Sequence, residues 1–265
     1  MPKKATEIGL PSQLNVMLYG DFGVGKTTFA TTFPKPILFF DIDDRHQTYA
    51  GVEGIEYETY KDTGRRPKAF KQFMDDLKKY QEDSKYKTVV LDSISALTKI
   101  LKYDIIGRVG TSTAANEGLT LQQWGQVTER MEEIFEILRG YDTHTVIISH
   151  PQMFQDEISG EIKTLTMLIG KKFPQKAPIF FDEIYQCFTE RNRDTDREEY
   201  LIRTQSTRRD PARTSMNLRD EKGKTIPILD EKEPQDFRHI MNKVEEARKD
   251  PEEFIKKVKK ERGIK

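Results

Sequence analysis

The sequence predicts an α/β fold, a mainly parallel central sheet flanked by helices. Three observations carry that prediction. Short apolar runs alternate with amphipathic stretches over the first two-thirds of the 265 residues, the pattern of strands joined by helical crossovers. The first run leads straight into a glycine-rich turn, and a helix-compatible stretch follows it. Three apolar runs end in an aspartate (Asp41, Asp92 and Asp182), and for Asp92 that places a carboxylate at the carboxyl end of a strand within the alternating region.

The elements follow in order. Residues 14–19 read as a buried strand and 27–33 as a helix closed by Pro34 and Pro36, with 37–40 the second strand. Phe70, Phe73, Met74, Leu77 and Tyr80 recur at helical spacing. Residues 88–91 are the third strand, and Ile94, Leu97, Leu101 and Ile105 mark the next helix. Leu121, Trp124, Val127, Met131, Ile134, Phe135 and Leu138 line one face of a long helix, with Gly140 at the position of its C-terminal cap. Residues 145–148 are the fourth strand. Beyond His150, 153–158 and 162–165 read as a hairpin turning at Ser159-Gly160, and 183–189 with 199–204 as another. From Asp220 the chain is polar and loop-like, and about 235–262 is helical with a break near Pro251. The sequence therefore divides into a core over 1–219 and a polar linker with a helical tail over 220–265. Small polar residues and glycines over 107–118 predict a mobile segment.

Composition narrows the classes. With 44 basic and 44 acidic residues the formal charge is zero, so bulk charge attracts no polyanion and any such site is a local patch. One third of the residues are charged and 35% are apolar, with a mean hydropathy of −0.72; the surface is polar, yet a chain of this length still buries a core. No apolar run is long enough to span a bilayer, and the N-terminus has no h-region of a secretory signal. The single cysteine, Cys187, forms no internal disulfide, and the four histidines have no metal-ligand spacing. A reduced, cytoplasmic protein is the expectation.

Gly20-Asp21-Phe22-Gly23-Val24-Gly25-Lys26-Thr27 matches G-x-x-x-x-G-K-[ST] in full, and Thr28 continues the binding segment. The glycines let successive N–H groups turn toward phosphate oxygens, the lysine reaches the β- and γ-phosphates, and the threonine hydroxyl ligates Mg²⁺. The strand before and the helix after supply the context this P-loop requires. Asp92 is the candidate Walker B carboxylate holding Mg²⁺ with Thr27. Asp182 lies outside the alternating region and reads as structural.

Val89-Val90-Leu91-Asp92-Ser93-Ile94-Ser95-Ala96-Leu97-Thr98 resembles the Walker B segment of RecA-type recombinases. Phe39-Phe40-Asp41-Ile42-Asp43 resembles that family's strand ending in Asp-x-Glu, and Val146-Ile147-Ile148-Ser149-His150 its strand ending in a polar γ-phosphate sensor. The order and spacing agree over about 12–215, and the resemblance is to the small core-only RecA-like proteins of bacteriophages, which include single-strand annealing proteins. It implies an ATPase using ATP and Mg²⁺, a homo-oligomer in ring or filament form, and single-stranded DNA as partner. Two positions depart from the family. Asp43 replaces the glutamate that activates water and is one methylene shorter, which implies slow hydrolysis or Asp44 as the base; His150 stands where glutamine is common.

Two segments fall where the family has DNA-binding loops: 107–120 with Arg108, and 151–176 with Phe154, Lys163, Lys171, Lys172, Phe173 and Lys176. Interleaved lysines and aromatics suit single strands, cations following phosphates and rings stacking on bases; a solvated hairpin whose phenylalanines pack in the core explains them equally. Among Arg203, Arg208, Arg209 and Arg213 the resemblance points to a residue reaching a neighbouring subunit's ATP, with Arg213 the first choice. The leading function is thus ATP hydrolysis acting on single-stranded DNA in phage-type recombination, annealing or replication. A nucleotide-gated oligomeric module with little turnover and a small-molecule kinase on the same P-loop are the alternatives; the segment at Asp92 argues against the kinase.

Overall fold

The computed structural model describes residues 11–262 apart from 84, 111–118, 156–159, 161 and 167–176. Its centre is an eight-stranded sheet. Six strands run parallel: β1 (Asn15–Tyr19), β2 (Ile37–Asp41), β3 (Ile55–Thr59), β4 (Thr88–Asp92), β5 (His144–Ser149) and β8 (Glu183–Arg191). Between β5 and β8, β6 (Pro151–Gln155) and β7 (Ile162–Thr166) form a separate antiparallel pair. Two antiparallel strands, β9 (Glu198–Arg203) and β12 (Lys232–Pro234), extend the sheet, and β10 (Asn217–Arg219) with β11 (Thr225–Pro227) makes a small ribbon. The strand order is β12-β9-β8-β1-β5-β4-β2-β3. The glycine turn and Asp92 therefore leave strands separated by β5.

Alternation along the central strands divides the core into two layers. Met17, Tyr19, Leu38, Phe40, Val89, Leu91 and Ile147 face α2 (Ala69–Gln81), α3 (Ile94–Ile106) and α4 (Leu121–Arg139). Val16, Leu18, Ile37, Phe39, Val90, Val146 and Ile148 face the opposite way, toward α1 (Lys26–Ala30) and α5 (Phe237–Lys249), beyond which lies α6 (Pro251–Arg262). Ser93 caps α3 by accepting from the Ala96 N–H at 3.2 Å, and Thr120 with Gln123 closes a capping box on α4.

The expected elements are present, with four differences. The first helix is shorter than 27–33: it spans Lys26–Ala30, and turns bonded from Thr32 and Phe33 back to Phe29 and Ala30 finish the segment. The sequence reading contains no strand at Ile55–Thr59; this edge strand pairs only with β2 and exposes Glu56 and Tyr57, so it lacks the continuous apolar run of its neighbours. Leu121, expected on the apolar face of α4, opens the helix 90% exposed. The segment from Asp220, expected as a loop and tail, contributes β12 to the central sheet and buries Phe237, Ile240, Val244 and Ala247 of α5 in its core.

Candidate nucleotide cleft

Parallel strands deliver chain reversals to one edge of the sheet, and the residues following β1, β2, β4 and β5 meet there. They line a cleft of about 540 Å³ that includes Gly25, Lys26, Thr27, Asp43, Asp92 and His150. Gly20 leads the turn; a side chain there would overlap the Cys187 carbonyl, 2.2 Å from its Cβ position. Gly25 takes φ +85, a left-handed conformation that glycine adopts without strain. Lys26 Nζ donates to the carbonyls of Gly20 at 2.7 Å and Asp21 at 2.6 Å, which curls the lysine over the loop. Burial lowers the lysine's pKa, while the nearby Cys187 and Asp92 oppose that shift. Asp21, Phe22, Val24 and Thr28 complete the loop and its helix start, with Phe22 79% exposed at the tip.

The Thr27 hydroxyl donates to Asp92 Oδ2 at 2.7 Å, so the two oxygen ligands expected for Mg²⁺ are already neighbours. Asp92 is buried, and burial pushes its carboxyl up to about 6 against the Thr27 hydrogen bond, with Asp43 and Asp41 adding to the rise. Carboxylates gathered this way suit a hard divalent cation, which takes oxygen ligands and neutralises them. Among the described residues no cluster of three or more His, Cys, Asp or Glu forms a metal site by itself; the Thr27 hydroxyl and the Asp92 carboxylate are the side chains here that could hold a divalent cation together with phosphate oxygens and water.

Asp43 and Asp44 diverge. Asp43 lines the cleft, and its Oδ2 stands 3.8 Å from His150 Nε2. Burial raises its pKa, but the neighbouring His150 and Ser93 side chains and the charge of Arg45 outweigh that and hold the carboxyl below the usual range. Asp44 takes φ 57 and turns outward to an ion pair with Lys61, with His46 Nδ1 at 3.5 Å. Asp41 is buried, accepting from the Arg45 N–H and the Tyr49 hydroxyl, each at 3.0 Å. The main-chain N–H of His150 donates to Ser95 Oγ at 3.2 Å, which ties the end of β5 to the start of α3.

Arg213 is not in this cleft. It is exposed, its backbone exchanges two 2.9 Å hydrogen bonds with Ile184, and it lines a separate hollow of about 530 Å³ with Thr204 and Asn217. Arg203 is engaged locally with Gln186 at 3.1 Å and in an ion pair with Glu231. Asp182 accepts from the Asn15 N–H at 2.9 Å, bracing the start of β1. In the β6–β7 hairpin, which follows His150 directly, Phe154 stands opposite Lys163. Lys171, Lys172, Phe173 and Lys176 lie outside the described residues, as does most of the 107–120 segment.

Cleft residues with no place among the sequence-predicted site residues include Phe29, in the helix that follows the P-loop, and Arg45, Thr48, Tyr200 and Gln235. Arg45 and Thr48 follow β2 closely, so the Asp43 match pointed to their neighbourhood. Tyr200 and Gln235 arrive through β9 and β12, far along the chain, and carry no motif.

A family model described as an AAA domain matches residues 12–216. No curated protein sequence matches significantly. Solved structures similar to the chain include a KaiC-like protein from the hyperthermophilic archaeon Pyrococcus horikoshii OT3, at 13% identity and a TM-score of 0.38, covering 83% of this chain and 92% of that one. Flagellar accessory protein FlaH from Methanocaldococcus jannaschii is similar at 10% identity and a TM-score of 0.37, covering 75% of this chain and 80% of that one. No helix among the described residues is long and apolar enough to cross a membrane.

Proposed function

This chain belongs to the AAA domain family, and on that premise we propose that it hydrolyses ATP with Mg²⁺ and couples the nucleotide state to single-stranded DNA, in phage-type recombination, annealing or replication. One observation carries the ATPase reading: Lys26, Thr27, Asp92, Asp43 and His150 converge on a single cleft from four different strand ends. Bound at Thr27 and Asp92, Mg²⁺ supplies charge neutralisation to the β- and γ-phosphates. Lys26 exchanges its loop carbonyls for phosphate oxygens, and loop N–H groups hold the chain of phosphates. Asp43, ionised and oriented by His150, orients the attacking water and accepts its proton. His150 donates to the γ-phosphate and reports its loss.

The DNA reading is supported by continuity and composition. His150 lies between the end of β5 and Pro151, which begins β6, so a shift at the γ-phosphate passes straight to a hairpin that sets Phe154 beside Lys163. Lysines that follow phosphates and rings that stack on bases are what a single strand needs. Arg213, remote from its own cleft, is assigned to the site of a neighbouring copy in a homo-oligomer. The short side chain of Asp43 favours a second reading, a nucleotide-gated module that turns over little.

One set of assays separates these readings: ATP binding by calorimetry, and hydrolysis with and without single-stranded DNA. Wild-type chain binds ATP·Mg²⁺, Lys26→Ala does not, and single strands stimulate turnover. Mixing Lys26→Ala with Arg213→Ala subunits restores part of the activity if Arg213 acts in trans. Tight binding without turnover supports the gated module, and unchanged ATP affinity in Lys26→Ala removes the P-loop assignment.

A further inference from the structure

Phosphate chemistry leaves one end of the cleft unexplained. Asp43 and His150 follow β2 and β5 and Asp92 ends β4, all on one side of β1 in the sheet, whereas Tyr200 lies in β9 and Gln235 follows β12, on the other side. The first end carries carboxylates and a histidine; the second presents an aromatic ring and a neutral amide. Tyr200 lines this concavity with 46% of its surface exposed.

The ring is held close to the loop. Its Cδ1 stands 2.9 Å from the position a Cβ on Gly25 would take, so only glycine there admits it. Gln235 sets this spacing with three hydrogen bonds. Its main-chain N–H donates to the Tyr200 carbonyl at 3.1 Å, and its side-chain Nε2 donates to the carbonyls of Val24 at 2.8 Å and Leu201 at 3.0 Å. Two carbonyl acceptors on one end of the amide identify that end as nitrogen. The Gln235 side chain thus joins the P-loop to β9, and its main chain holds the backbone of the residue that carries the ring.

We propose that Tyr200 is the platform on which the base of the bound nucleotide stacks, and that Gln235, outside the segment 12–216 matched by the family, is the positioning residue that holds the platform against the P-loop. The inference rests on the nucleotide reading above. With the phosphates on Lys26 and Thr27, the nucleoside has to occupy the remaining cleft, and its uncharged aromatic wall is the surface suited to a π face. Stacking of this kind tolerates different bases, so the ring contributes affinity more than selectivity.

Calorimetry with ATP·Mg²⁺ and with inorganic tripolyphosphate tests this on wild type, Tyr200→Phe, Tyr200→Ala and Gln235→Leu. Tyr200→Ala raises the Kd for ATP about ten-fold or more and leaves that for tripolyphosphate unchanged, while Tyr200→Phe keeps wild-type affinity. Gln235→Leu weakens ATP as well, and adding Tyr200→Ala to it costs less than Tyr200→Ala costs alone, the non-additivity expected when one residue acts through the other. Thermal unfolding of each variant controls for folding. Wild-type ATP affinity in Tyr200→Ala, or equal weakening toward ATP and tripolyphosphate, overturns the stacking role. Full additivity overturns the role of Gln235. A wild-type chain that binds neither ligand overturns the nucleotide reading, and this inference with it.

Discussion

Asp43 and Asp44 differ by a single backbone turn, and that turn decides their chemistry. The left-handed conformation at Asp44 rotates its carboxylate out to Lys61, while Asp43 stays inside the cleft beside His150. A water-orienting base has to lie in the nucleotide cleft and remain ionised; of the two, Asp43 lines the cleft, and the neighbouring His150 and Ser93 side chains and the charge of Arg45 overcome the upward push of burial there. Asp43→Asn is expected to slow hydrolysis by about 10²–10⁴-fold with ATP affinity nearly intact, whereas Asp44→Asn hydrolyses normally. Single-turnover hydrolysis alongside equilibrium binding checks the pair; a dead Asp44→Asn beside an active Asp43→Asn moves the base by one residue. The sequence leaves this choice open because both acids follow the same apolar run. It makes Lys26, Thr27 and Asp92 legible because phosphate and metal chemistry demand those residue types at those spacings. Tyr200 escapes it, since an aromatic that meets a base needs no motif, only a place.

The strand is the element that converts spacing into a site. β1, β2, β4 and β5 each read as a short apolar run because both their faces are buried, and a parallel sheet brings their ends to one edge. β3, at the sheet's rim, has only exposed and half-buried positions, so its five residues give no comparable signal. β5 also carries a load at its other end. His144 opens the strand against Phe33 and Phe237, with edge-on ring contacts at 6.4 and 5.4 Å, and its Nδ1 is buried without a hydrogen-bond partner. Burial lowers its pKa from the ordinary value of 6.5. The unfolded chain therefore takes up a proton near pH 6.5 that the folded chain refuses, so this stability is complete above pH 6.5 and is lost as pH falls toward the depressed folded value. Burial raises Asp92 and Glu183 and pushes the other way, so the comparison has to be made with a variant. His144→Phe, which keeps a ring in the cluster, is expected to lose less melting temperature than wild type between pH 7.5 and about 5.5. Equal losses would remove His144 as the source.

At the scale of the molecule, the C-terminal quarter is where charge conceals structure. Residues 237–249 read as a polar helix, yet Phe237, Ile240, Val244 and Ala247 fall on one face and are fully or nearly fully buried. The periodicity was present in the sequence; what it lacked was a partner, because the surface that receives α5 is assembled from Phe29, Phe33 and the second face of the sheet. Phe237 stacks on Phe33 with ring centroids 3.9 Å apart, and its N–H donates to Thr32 Oγ1 at 3.0 Å. Ahead of it, β12 pairs with β9, and Gln235 reaches the P-loop carbonyl of Val24. α6 is held differently, by ion pairs of Lys259 with Asp220 and Arg262 with Asp230, both at 2.6 Å, and by the buried Val258. Burying one side chain of the Val, Ile or Phe class contributes about 1.5–3 kcal/mol, so losing Phe237, Ile240 and Val244 together removes an amount comparable with the whole stability of a domain, about 5–15 kcal/mol. Partly exposed ion pairs contribute far less, about 0–1 kcal/mol each. The two ends of this segment are therefore expected to tolerate truncation unequally. A chain ending at residue 250 keeps β12 and α5, unfolds cooperatively a few degrees lower, and retains ATP affinity. A chain ending at residue 219 loses the cover of its second core layer and the brace on its P-loop, and is expected neither to unfold cooperatively nor to bind ATP. Differential scanning calorimetry and ATP titration of the two truncations decide it: a 1–219 chain with a sharp thermal transition and wild-type affinity would make the C-terminal segment an appendage rather than part of the fold.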